Sequence, residues 1–142
     1  MKQTVGGDEL AFRVTAQESA GALTAVDVRL PPGGGPPMLH RHDPYELYRV
    51  ESGKLTFYRD DGEDIQRSVA EAGDVVAIPG GTEHTIRNES EHEAKAYVVF
   101  VPGGEMERFS RAAADLAASG PIDPADVISL AAEHGIEITR PI

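Results

Sequence analysis

The sequence predicts a mainly β domain, a sandwich or barrel, followed by two short C-terminal α-helices. Three observations lead there. Short apolar or alternating runs recur between residues 22 and 101. Turn residues separate them at close intervals, which favours many short strands over a few long elements. After Pro102 the β-branched residues thin out and helical spacing takes over.

Ala22 to Leu30 alternates, with Val26, Val28 and Leu30 on one face and Asp27 and Arg29 on the other, as a half-buried strand should. Leu55 to Arg59, Ile65 to Val69, Val75 to Ile78, His84 to Asn88 and Ala94 to Val101 are further strand-like runs. The turns between them are Ser52-Gly53, Asp60-Asp61-Gly62, Ala72-Gly73-Asp74, Pro79-Gly80-Gly81 and Asn88-Glu89-Ser90. Pro31 to Pro37 is too rich in proline and glycine for a central strand and is expected to be a loop feeding the next one. Glu105 to Ala118 places Met106, Phe109, Ala113 and Leu116 near helical spacing, and Gly120-Pro121 stops it. A second helix starts at an Asp123 N-cap with Pro124 in the first turn and ends before Gly135. Val127, Ile128, Leu130 and Ala131 are its expected buried side. The predicted division is a barrel over residues 1–102 and a helical extension over 103–142 packed on it.

Composition narrows the function. With 142 residues, 40% of them hydrophobic, the chain has material for one core. It has no cysteine, which excludes disulfides, thiolate metal ligands and a thiol nucleophile. A net charge of −11 repels phosphate backbones, so no nucleic-acid partner is expected. No leader pattern opens the sequence and no apolar run is long enough to cross a bilayer. The expected setting is therefore cytoplasmic, away from membranes.

The chemistry gathers around four residues. His40 and His42 are two apart on an extended segment, so their side chains leave one face and form a ready chelate. Glu46 has the same parity. On a straight strand it would stand roughly 13 Å from His42, too far to share an ion comfortably. Asp43-Pro44 lies between them, and a proline bend there brings Glu46 back. His84 is the fourth candidate. Three nitrogens and a carboxylate suit iron, manganese, cobalt, nickel, copper or zinc, and are too nitrogen-rich for calcium or magnesium. An octahedral ion on this set keeps two positions open, whereas a four-coordinate zinc would be closed and structural.

The spacing around these residues resembles the cupin family. Gly34, five residues, His40-Arg41-His42, three residues, Glu46, six residues and Gly53 match the first cupin motif at each fixed position. Gly73, five residues, Pro79, one residue, Gly81, two residues, His84, three residues and Asn88 match the second. The resemblance covers roughly residues 22 to 101. It implies a double-stranded β-helix of jelly-roll type, with one divalent transition metal ion on His40, His42, Glu46 and His84. Gly53 and Gly73 are then turn glycines and Asn88 ties down a turn. The tail, through Gly104 to Phe109, Asp123-Pro124 and His134 to Glu137, is loosely similar to small bacterial cupins grouped with quercetin dioxygenase.

Other features have plainer readings. His92 sits in a polar run, and His134 at a helix end. Asp60 to Asp64 reads as a solvated hairpin turn, and Gly33 to Gly35 lacks the lysine and helix of a phosphate loop. Tyr48 shares parity with Glu46 and is a candidate to orient a substrate, or simply to fill the barrel. Three functions follow. One is a metal-dependent oxygenase of dioxygenase type on a small aromatic or flavonoid-like molecule, with Glu46 as base and Tyr48 orienting. Another is a non-oxidative isomerase or lyase, and the third a small-molecule-binding module without turnover. The family resemblance implies a homodimer, with the strand around Leu10 to Thr15 as a candidate for pairing between copies.

Overall fold

The computed structural model describes every residue except Met1 and Gly6, together with all side chains but those of Lys2 and Gln3. In chain order the elements are β1 (Lys2–Val5), β2 (Asp8–Val14), β3 (Thr24–Leu30), β4 (Met38–Arg41), β5 (Tyr45–Ser52), β6 (Lys54–Asp60), β7 (Ile65–Glu71), β8 (Val75–Ile78), β9 (His84–Arg87), β10 (Ala94–Val101), α1 (Glu105–Ala118), α2 (Pro124–Glu133) and β11 (Glu137–Pro141). Two antiparallel sheets result, in the orders β1-β2-β3-β10-β5-β8 and β11-β4-β9-β6-β7. This is the mainly β cupin fold that the motifs imply.

Inward-facing positions of both sheets make one core. Val26, Tyr48, Val50, Val98 and Phe100 come from the first sheet, and Leu55, Phe57 and Ile86 from the second. Alternation puts them there: β5 runs Tyr45, Glu46, Leu47, Tyr48, Arg49, Val50 with every second side chain buried. Gly53, at the β5–β6 turn, has φ of 74°, and a Cβ there would stand 2.6 Å from the Glu93 carbonyl. Asn88 is fully buried and acts as the expected tie. Its amide nitrogen donates to the carbonyls of Leu30 (2.9 Å) and His92 (2.7 Å), and its oxygen accepts from the Ser90 backbone N–H and hydroxyl.

Several expectations are corrected. Leu10 to Val14 of the Leu10 to Thr15 stretch belong to β2, which pairs with β1 on one side and β3 on the other. β1 covers only Asp8 to Ala11 of that edge, so Phe12 and Val14 pair with β3 alone. The tail is not only helical: β11 follows α2 and pairs with β4, Ile138 opposite His40. Ile128 is 41% exposed rather than part of the buried side of α2, where Ala131 alone is fully covered. Helix α1 buries a carboxylate, Glu107, which accepts from the Ala16 N–H at 2.6 Å and from the Thr24 hydroxyl. Helix α2 has the expected start, with the Asp123 side chain accepting from the Ala125 N–H. No helix among the described residues is long and apolar enough to cross a membrane.

Candidate metal centre

The three histidines arrive from two neighbouring strands. His40 lies on β4, His42 one residue beyond it, and His84 opens β9 with His40 as its registered partner. Glu46 comes from the other sheet. The chain leaves β4 at His42, turns through Asp43-Pro44 and enters β5, so the bend expected at the proline is a crossing between sheets. That turn is pinned from outside. The Gly81 N–H donates to the His42 carbonyl at 2.8 Å, and Gly80 passes so close that a Cβ would fall 2.0 Å from the Asp43 carbonyl. The glycines of the second motif therefore hold the turn of the first.

One ring nitrogen from each of His40, His42 and His84 lies within 4.8 Å of the other two. The remaining nitrogens face backbone carbonyls: Nδ1 of His40 lies 3.2 Å from Met38 O, that of His42 3.1 Å from Pro44 O, and that of His84 2.7 Å from Thr82 O. A carbonyl only accepts, so in each neutral ring Nδ1 carries the proton and Nε2 is left as a lone-pair donor. Glu46 Oε2 sits 3.3 Å from His42 Nε2 and also contacts His84 Nε2. Its other oxygen accepts from the Tyr48 hydroxyl at 2.8 Å. His42, Glu46 and His84 are all at most 4% exposed, while His40 is only partly covered.

The electrostatics follow from this crowding. Burial, reinforced by His84, lowers the His40 pKa from 6.5 to about 4. Burial also pulls at His42, but the carboxylate of Glu46 outweighs it and the pKa is raised. Burial pushes Glu46 up, yet the two imidazoles against it win and hold it well below the usual carboxylate range. Tyr48 is driven far above its ordinary value by burial and then by the negative charge of Glu46, so it stays a donor.

Whether a metal fits is tested by what these atoms lack. Nε2 of His42, Nε2 of His84 and Oε2 of Glu46 are buried and face only one another, with no partner outside the cluster. Leaving such atoms unpaired costs about 1–3 kcal/mol each. A divalent ion would satisfy them together, and the set suits a transition metal. The residues fit the ion. Two surface cavities lie elsewhere. One of about 330 Å³ is lined by Asp27, Arg29 and Lys95, and one of about 480 Å³ by Arg41, Asp60 and Glu83. His92 is exposed and serves its turn through its carbonyl. His134 caps α2 and packs near Phe109.

Two short motifs thus bring into one mainly β fold a three-histidine group that could hold a metal ion. The cupin domain model matches residues 26–100, more than half of the chain, and the chain belongs to the cupin family. No curated protein matches it. Among solved structures, it is similar to a predicted oxalate decarboxylase from Thermotoga maritima (23% identity, TM-score 0.60, 67% of this chain and 80% of that one). A Cupin 2 conserved barrel domain protein from Salinispora arenicola is similar over more of the chain (19% identity, TM-score 0.58, 93% and 90%). A sugar phosphate isomerase from a cupin superfamily, from Silicibacter pomeroyi, is also similar (24% identity, TM-score 0.56, 68% and 60%). At these identities the likeness is one of fold.

Proposed function

We propose that His40, His42, His84 and Glu46 hold one divalent transition metal ion, and that the chain is a metal-dependent enzyme of dioxygenase type acting on a small molecule with an acidic oxygen, such as a phenol or enol. The observation that carries this reading is the convergence of three buried donor atoms, two imidazole and one carboxylate, that have only one another as neighbours. Bound there, the ion supplies Lewis acidity towards a substrate oxygen and, where redox-active, one-electron chemistry with dioxygen. Each imidazole has its Nδ1 at a backbone carbonyl, which orients the ring so that Nε2 would face the ion. Glu46 is ionised at neutral pH, and its Oε2 would accept the substrate's proton once its bond to the ion loosens. Tyr48 acts through Glu46, fixing Oε1 so that Oε2 faces the cluster. His40, the least covered of the three histidines, marks the side of approach.

A second reading is proton transfer without oxidation, of isomerase or lyase type. The Tyr48–Glu46 hydrogen bond favours it, because an oriented carboxylate beside the ligands is what proton transfer requires. Decarboxylase and isomerase also appear in the names of two solved relatives. The protein is proposed to work in the cytoplasm and as a homodimer, without nucleic acid or membrane partners.

The test is oxygen uptake on a panel of small phenols and enols, with the protein loaded in turn with each candidate metal. Metal-dependent uptake is the expected result. Turnover of an enol or hydroxy acid without oxygen uptake selects the second reading. No turnover with any metal overturns both.

A further inference from the structure

The five-stranded sheet carries its histidines on one face and a cluster of ions on the other. Arg41 lies between His40 and His42, and Glu83 immediately precedes His84, so alternation sends both charged side chains away from the histidines. There they meet. Arg41 donates to Glu83 Oε2 at 3.0 Å. Arg140, on β11, donates through Nε to Glu83 Oε1 at 2.7 Å and also contacts Asp60 at the end of β6. Glu137 reaches Arg41 at 3.4 Å. The Glu83 side chain, gripped by both guanidiniums, is only 12% exposed. Beneath it the backbone link is thin: β4 and β9 are registered by a single pair, His40 with His84.

We propose that Glu83 and Arg140 are positioning residues for the metal centre. The doubly bound carboxylate sets the separation of β4 and β9, and so the distance from His40 and His42 to His84. The C-terminal strand thereby takes part in the site without touching it. Arginine suits the task because its planar fork serves two carboxylates at once, which an ammonium does not. This rests on the metal reading above.

The test is cobalt(II) titration of the full chain, followed by visible absorption, with affinities from competition against a chelator. Arg140→Ala and Glu83→Gln should weaken binding on the order of fivefold and shift the ligand-field bands, because the donor geometry changes. Arg140→Lys should recover part of the affinity. The differences should shrink in about 1 M salt, where exposed ion pairs are screened. Arg13→Ala, which breaks an Arg13–Asp27 pair of 3.3 Å on the other sheet, should leave affinity and spectrum unchanged. Wild-type behaviour of both Arg140→Ala and Glu83→Gln overturns the proposal, as does an equal loss in Arg13→Ala. If Arg140→Ala does not fold, Glu83→Gln and Arg140→Lys decide it. A wild-type chain that takes up no cobalt overturns the metal reading and this inference with it.

Discussion

The two ends of the barrel interior are built on opposite rules, and β5 displays both along one face. Its inward side chains run Glu46, Tyr48, Val50. Glu46 stands among imidazoles, its Oε2 against the Nε2 atoms of His42 and His84. Val50 stands in a dry cluster with Leu55, Ala96 and Val98. Tyr48 joins the two, its ring edge-on to Phe57 at 5.1 Å and its hydroxyl on Glu46. The dry end stabilises the fold by burial. The polar end gives up some of that stability by burying ionisable groups against one another.

The largest effect expected from breaking this contrast is at the polar end. His84→Ala should reduce metal affinity by more than the roughly 10–100-fold that changes behind the ligands cost, while the metal-free protein keeps its fold. Calorimetric titration paired with thermal melting would show it, and a parallel loss of folding would blur the distinction between the two ends. At the dry end Phe57→Ala should do the reverse, costing about 3–5 kcal/mol in denaturant unfolding with the ligands intact. Asn88→Ala, which removes the amide donor to the Leu30 carbonyl and the acceptor of the Ser90 N–H, should cost about 1–3 kcal/mol.

Acidity sharpens the same contrast. A protonated His42 has no lone pair to give, and its pKa is raised above 6.5. Metal affinity should therefore fall as pH drops through that raised value, by up to about tenfold per unit for this proton. The metal-free fold responds through His40. Its pKa is 6.5 in the unfolded chain and about 4 in the folded one. Between those values only the unfolded state takes up the proton, so this contribution is fully present above pH 6.5 and is lost as pH falls towards 4. Unfolding at a series of pH values checks the sign. The smallest effect belongs to the residue that joins the ends: Tyr48→Phe keeps the ring and frees Glu46 Oε1, weakening metal binding on the order of threefold.

Much of the arrangement was legible in the sequence because the residues of each motif stand close together in it. His40 and His42 share a face by parity, and Pro44 announced the bend that carries Glu46 to the opposite sheet. The strands from Thr24 to Val101 showed through their turns. What stayed hidden depends on distant partners. β11 is a short segment whose strand character comes from β4, and nothing within Glu137 to Pro141 names that partner. The burial of Glu107 depends on Ala16 and Thr24, far off in the chain. The exposure of Ile128 reflects where α2 lies against the barrel, which helical spacing does not specify.

The most direct test is metal stoichiometry by elemental analysis of the purified wild-type chain and His42→Ala, each loaded with one transition metal at neutral pH and then desalted. The account predicts one ion per wild-type chain and a collapse in the variant. Wild-type protein without metal, or a variant that retains it in full, would contradict the account.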